Sequence, residues 1–176
     1  EKSLINWCSS ASRRPLVIRG ARQTGKTTLI REFGKSFDLF IELNLEKDAH
    51  QRIFSSVKDI KEVISSIEFI VGKKIIPNRT LIFLDEIQNC PTAITMLRYF
   101  YEDAPDLHVV SAGSLLEVRM KKEGWYFHVG RVEFLYLFPV TFEEFLNALG
   151  EDILLQFLRG FNIGDKISVA VHDKLI

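Results

Sequence analysis

Residues Gly20 to Thr27 read G-A-R-Q-T-G-K-T, which fits the spacing G-x-x-x-x-G-K-[ST] in full. A loop of this kind wraps a polyphosphate with backbone N–H groups, and Gly20 and Gly25 permit the turns and close approach that this needs. Lys26 supplies a flexible point charge for the β- and γ-phosphates. Thr27 offers a hydroxyl to Mg2+, and the following helix aims the positive end of its dipole at the anion. The stretch Gly20, Ala21, Arg22, Gln23, Thr24, Gly25, Lys26, Thr27 and Thr28 is therefore the candidate ATP-binding segment. Within it Arg22, Gln23 and Thr24 fill the loop and are assigned no chemistry.

Leu81-Ile82-Phe83-Leu84-Asp85-Glu86 is an apolar run ending in two carboxylates. A magnesium-dependent nucleotide hydrolase needs one acid at the tip of a neighbouring strand to hold the metal, and Asp85 is placed for that. Glu86, one residue further, suits a base that polarises the attacking water. A surface turn after a strand also favours Asp and Glu, but the phosphate loop tips the balance toward chemistry. A GTPase would show D-x-x-G here and N-K-x-D later, whereas this chain has D-E-I-Q and no N-K-x-D. The L-S-G-G-Q signature of transporter ATPases is absent, and small-molecule kinases usually lack the second acid. D-E-I-Q is similar to the D-E-x-Q box of superfamily-one helicases, which also need a second motor domain and a later arginine-rich motif. Neither is visible in this sequence.

Ser114, with Ser111 in reserve, follows the apolar run Leu107 to Val110 and could touch the γ-phosphate or the attacking water. Capping of the next helix explains Ser114 equally well. Arg131 precedes the next apolar run. In an oligomer it could project into a neighbour's site and stabilise transition-state charge; the plainer alternative pairs it with Glu133. Arg13-Arg14, Lys73-Lys74 and the R-M-K-K run from Arg119 to Lys122 read as solvated charges rather than a nucleic-acid face. Trp7 and Trp125 read as packing residues.

These residues need a scaffold that brings several loops to one edge, and the chain alternates accordingly. Leu16–Ile18, Asp38–Leu45, Thr80–Leu84, Leu107–Ser111 and Val132–Phe138 read as strands. Helical faces fall between them: Leu29, Ile30, Phe33 and Phe37; Asp48 to Ser56; Ile60, Val63, Ile64, Ile67 and Val71; Ala93, Leu97, Phe100 and Tyr101; Ser114 to Lys122. Thr141 with Glu144 forms a capping box ahead of a helix expected to turn Phe142, Phe145, Leu146 and Leu149 inward. Such alternation predicts an α/β fold, a parallel sheet covered on both faces by helices. The pattern stops near Gly150, so residues 1–149 are expected to form the core and 150–176 the start of a helical lid or linker.

With 176 residues and a 47% apolar fraction, one substantial core is expected. Lysine plus arginine equals aspartate plus glutamate at 23 each, which removes a global electrostatic case for nucleic acid or acidic membranes. Cys8 and Cys90 lack metal-ligand spacing, so a cytoplasmic setting is expected. No apolar run approaches a membrane span. The chain begins at Glu1 and stops inside a helical pattern, which suggests a piece of a longer protein.

The tracts Arg13 to Thr27, Leu81 to Gln88, Ser111 to Leu116 and Val129 to Leu146 (V-G-R-V-E-F-L-Y-L-F-P-V-T-F-E-E-F-L) together resemble the AAA-type predicted ATPases of bacteria and archaea. The resemblance implies a P-loop three-layer α/β/α sandwich with sheet order 5-1-4-3-2, a helical lid and a further C-terminal domain. Arg19 and Arg22-Gln23 fit that family beyond the bare loop motif. Hydrolysis of ATP with Mg2+, used to move an attached or partner domain, is the activity it suggests.

Overall fold

The computed structural model describes residues 2–55, 59–114, 116, 119, 122, 124, 126, 127, 130–162 and 164–175. Five strands form one sheet: β1 Leu16–Arg19, β2 Leu39–Asn44, β3 Thr80–Asp85, β4 His108–Gly113 and β5 Glu133–Tyr136. Their order is β2-β3-β4-β1-β5, and every neighbouring pair is parallel. Read from the other edge this is 5-1-4-3-2, the order expected. Register aligns Leu16 with Val110 and Glu133, and Asn44 with Asp85. All five C-terminal ends therefore share one edge of the sheet, where loops can converge.

Alternate strand residues face two separate cores. Val17, Ile41, Leu43, Ile82, Leu84 and Val109 pack on one face with helices α3 (Asp48–Ser55), α4 (Ile60–Val71) and α5 (Pro91–Asp103). Leu16, Ile18, Leu81, Phe83, Val110 and Ala112 pack on the other with α1 (Lys2–Cys8) and α2 (Lys26–Gly34). Both central strands β3 and β4 are buried along their whole length, so the architecture is a three-layer α/β/α sandwich. Each fully buried Leu, Ile or Phe contributes about 1.5–3 kcal/mol of transfer free energy.

Local signals explain the helix ends. Asp59 accepts from the Lys61 N–H at the start of α4, and Gly72 closes it in the left-handed region at φ 68°. Helix α1, which has only Leu4 and Trp7 buried, was not expected from periodicity. Trp7 packs and donates its ring N–H to the Arg14 carbonyl at 2.7 Å. The expected helix from Ser114 to Lys122 lies outside the described residues apart from Ser114, Leu116, Arg119 and Lys122, and so does Trp125.

The chain divides into two compact units, residues 1–138 and 139–176. The second contains helices Phe142–Ala148, Asp152–Gly160 and Val169–Leu175. The Thr141–Glu144 capping box is present in both directions, at 3.2 and 2.8 Å. Of the side chains expected to turn inward only Leu146 is buried; Phe142, Phe145 and Leu149 are exposed. A helix of 7 residues offers two turns, and one buried leucine is all that this one covers. It groups with the helices after it rather than with the sheet.

Candidate nucleotide site

The phosphate loop leaves β1 at Gly20 and enters α2 at Lys26. Gln23 and Gly25 take positive φ of 64° and 85°, the left-handed turns that fold the segment back on itself. Gly20 is required for a different reason: a Cβ there would sit 2.2 Å from the Leu137 carbonyl oxygen. The first intrahelical bond of α2 runs from the Leu29 N–H to the Gly25 carbonyl at 2.9 Å. The N–H groups of Lys26, Thr27 and Thr28 precede it and have no intrahelical acceptor, so they form an anion-binding helix start. Arg22, Gln23 and Thr28 are exposed, while Thr24 donates to the Ala21 carbonyl at 3.0 Å.

Lys26 is 7% exposed, and its ammonium donates to the carbonyls of Gly20 at 3.0 Å and Ala21 at 2.6 Å. Burial pulls its pKa down, while the negative charges of Glu86 and Asp85 oppose that. The loop thus carries its cation folded inward over the space it encloses.

Across the strand edge, the Thr27 hydroxyl donates to Asp85 Oδ2 at 3.0 Å. The residues lie 58 positions apart and are brought together because α2 starts over the tip of β3. Burial pushes the Asp85 carboxyl up from its usual range, the Thr27 hydrogen bond lowers it, and the Glu86 charge raises it again. Hydroxyl and carboxylate are hard oxygen donors of the kind that Mg2+ accepts, with the remaining positions left to phosphate and water. The residues present fit that ion. Among the described residues no group of three or more His, Cys, Asp or Glu side chains could hold a metal without such help.

Glu86 follows in the left-handed region at φ 53°, an uncommon conformation for a residue with a side chain. Its Oε2 accepts from the Gln88 amide and, in a long contact of 3.5 Å, from the Ser114 hydroxyl. Ser114 thus stands at the tip of β4 beside Glu86. Ser111 does not reach this group: its hydroxyl donates to the Leu16 carbonyl at 3.3 Å. Gln88 stands in the D-E-I-Q run, to which the sequence reading assigned no role; the turn at Glu86 brings its amide back to that carboxylate.

Arg131 is not brought to this edge. It precedes β5, at the opposite end of the sheet, where its guanidinium pairs with Glu102 at 2.6 Å and lies 5.7 Å from the Tyr101 ring. The partner is not Glu133, whose carboxylate accepts from the Arg14 N–H at 3.0 Å. Other basic side chains are also engaged locally. Arg13 donates to the Cys8 and Pro105 carbonyls, Lys74 pairs with Glu68, and Arg119 donates to Asn89 Oδ1 and the Gln88 carbonyl.

A parallel sheet in this order, with a G-x-x-x-x-G-K-T loop after β1 and an acid at the tip of β3, defines a P-loop ATPase fold. The chain belongs to the AAA domain family, whose model matches residues 12–146. Among solved structures, it is similar to the Walker-type ATPase PABY2304 of Pyrococcus abyssi, with 16% identity and a TM-score of 0.55. That match covers 99% of this chain and 61% of that protein, so the chain spans less than two thirds of its length. No curated protein matches the chain.

Proposed function

We propose that this chain binds ATP with Mg2+ at the edge formed by Gly20–Thr28, Asp85, Glu86 and Ser114, and hydrolyses it. The observation that supports this most is the 3.0 Å bond between Thr27 and Asp85, which joins loop and strand tip as a paired metal-binding donor set. Lys26 leaves the carbonyls of Gly20 and Ala21 to meet the β- and γ-phosphates, and the first-turn N–H groups of α2 take the remaining oxygens. Thr27 and Asp85 would hold Mg2+, which when bound would offset the charge of the phosphates. Glu86 takes a proton from water as its oxygen bonds to the γ-phosphorus; the bond to the bridging oxygen breaks, releasing ADP and phosphate. Ser114 keeps that carboxylate oriented.

Free Cys8 and Cys90 support a cytoplasmic setting. No helix among the described residues is long and apolar enough to cross a membrane. The helical unit beginning at Pro139 is the part proposed to move with the nucleotide cycle.

A slow switch that holds ATP is the second reading, favoured by one observation: Arg131 is held by Glu102 at the far edge of the sheet. From there it does not reach its own chain's site, so a role in catalysis would require a neighbouring chain in a homo-oligomer. Turnover per chain that does not change with protein concentration would remove that role.

The deciding variant for hydrolysis is Glu86→Gln. Its affinity for Mg–ATP is expected to match the parent's, while turnover falls by roughly 10²–10⁴-fold. Unchanged turnover would remove Glu86 as the base.

A further inference from the structure

Gln88 is 5% exposed in the short 3-10 turn Ile87–Asn89 that follows the acidic pair. Its amide nitrogen donates to Glu86 Oε2, the oxygen that the Ser114 hydroxyl also approaches. Among the described residues its own Oε1 is buried with no hydrogen-bond partner. That oxygen lies against the end of β4, where a Cβ on Gly113 would stand 2.2 Å from it. The turn itself is anchored from outside, because Arg119 donates to the Gln88 carbonyl at 3.4 Å and to Asn89 Oδ1 at 2.8 Å.

A side chain chosen for packing alone would not be half satisfied in this way. Leucine has a similar size and would bury no orphan acceptor. The amide has one feature leucine lacks, a donor aimed at the carboxylate of a residue in a strained backbone conformation. Being neutral, it orients Glu86 without the full charge of a lysine or arginine, which would weaken a base. Both donors reach Oε2, so Oε1 of Glu86 is left as the atom that accepts a proton from water.

Given the hydrolytic reading above, on which this rests, we propose that Gln88 is a positioning residue that holds the Glu86 carboxylate in its working orientation, with Gly113 kept small to admit the amide. Gln88 touches neither nucleotide nor metal in this account and acts through Glu86.

The test is Gln88→Leu in the full chain, with kcat and KM for Mg–ATP, the Kd of a fluorescent ATP analogue, and the melting temperature all measured. The expected result is a fall in kcat of roughly 10- to 100-fold. KM and Kd stay near the parent values, and the melting temperature is equal or higher. Gln88→Asn, too short to reach Glu86, is expected to behave alike and serves if the leucine variant does not fold. Placed in the Glu86→Gln background, Gln88→Leu should cost nothing further, because its target is already gone. An undiminished kcat in a folded Gln88 variant overturns the proposal, as does an equal loss with and without Glu86. A parent protein with no Glu86-dependent turnover overturns it together with the hydrolytic reading, which separates the two failures.

Discussion

His108 begins β4 and is 3% exposed, packed edge-on against Trp7 and Phe37 at ring separations of 5.9 and 5.0 Å. Burial, helped by the positive charge of Arg13, lowers its pKa to about 4, against a hydrogen bond with the Cys8 backbone that raises it. The unfolded chain takes up this proton near pH 6.5, and the folded chain refuses it until about pH 4. Stability is therefore expected to fall as pH drops through that window, by about 3 kcal/mol from this residue, and to level off below it. Comparing denaturant unfolding of the parent and His108→Gln from pH 4 to 7 checks this, since only the difference in slope belongs to His108. Equal slopes would contradict it. Nothing in the spacing around His108 marks it, because its environment is made by Trp7, Arg13 and Phe37, far away in the chain. Lys26, Thr27, Asp85 and Glu86 stood out in the sequence for the opposite reason: the phosphate and metal chemistry proposed for them demands those residue types at fixed spacing. Gln88 did not, because its role depends on the positive φ of Glu86.

Between elements, the phosphate loop is clamped to the edge strand. The Leu137 N–H donates to the Arg19 carbonyl at 2.7 Å, and the Leu137 oxygen occupies the place of a side chain at Gly20. Arg19 lies 3.9 Å from the centre of the Phe134 ring and donates to the Tyr136 hydroxyl at 3.2 Å, so β1 and β5 are tied by side chains as well. Stacking of this kind contributes about 0.5–2 kcal/mol. Gly20→Ala must push β5 away from the loop. Overpacking of that kind costs about 1–3 kcal/mol, with ATP affinity falling alongside, and thermal unfolding plus an ATP titration would show both. A stable variant with parent affinity would mean that the clamp is slack. The central strands were read well, since β3 carries the apolar run Leu81–Leu84 and β4 is buried along its whole length, although β4 runs on to Gly113, past the expected end at Ser111. The fifth was read one residue too long at its start and two at its end, because apolarity continues past Tyr136 while the paired register with β1 ends there. The helix after Thr141 was read correctly from its capping box, but its burial was not. Exposure of Phe142, Phe145 and Leu149 depends on what surrounds the helix, and periodicity says nothing about that.

On the scale of the molecule, the parallel sheet explains why residues so far apart in sequence lie together. Every strand delivers its C-terminal loop to one edge, which gathers Gly20–Thr28, Asp85–Glu86 and Ser114, and leaves Arg131 with Glu102 at the other. The alternation of strands and helices foretold that architecture, and the tracts shared with AAA-type ATPases foretold the strand order. The change in periodicity near Gly150 marks a shift in composition, and the division into compact units falls between Phe138 and Pro139. The central claim is that this edge binds ATP through the loop, and titration of Mg–ATP into the parent and Lys26→Ala proteins by calorimetry tests it most directly. The account predicts saturable binding at one site per chain in the parent and none detectable in the folded variant. Tight binding retained by Lys26→Ala, or no binding by the parent, would contradict it.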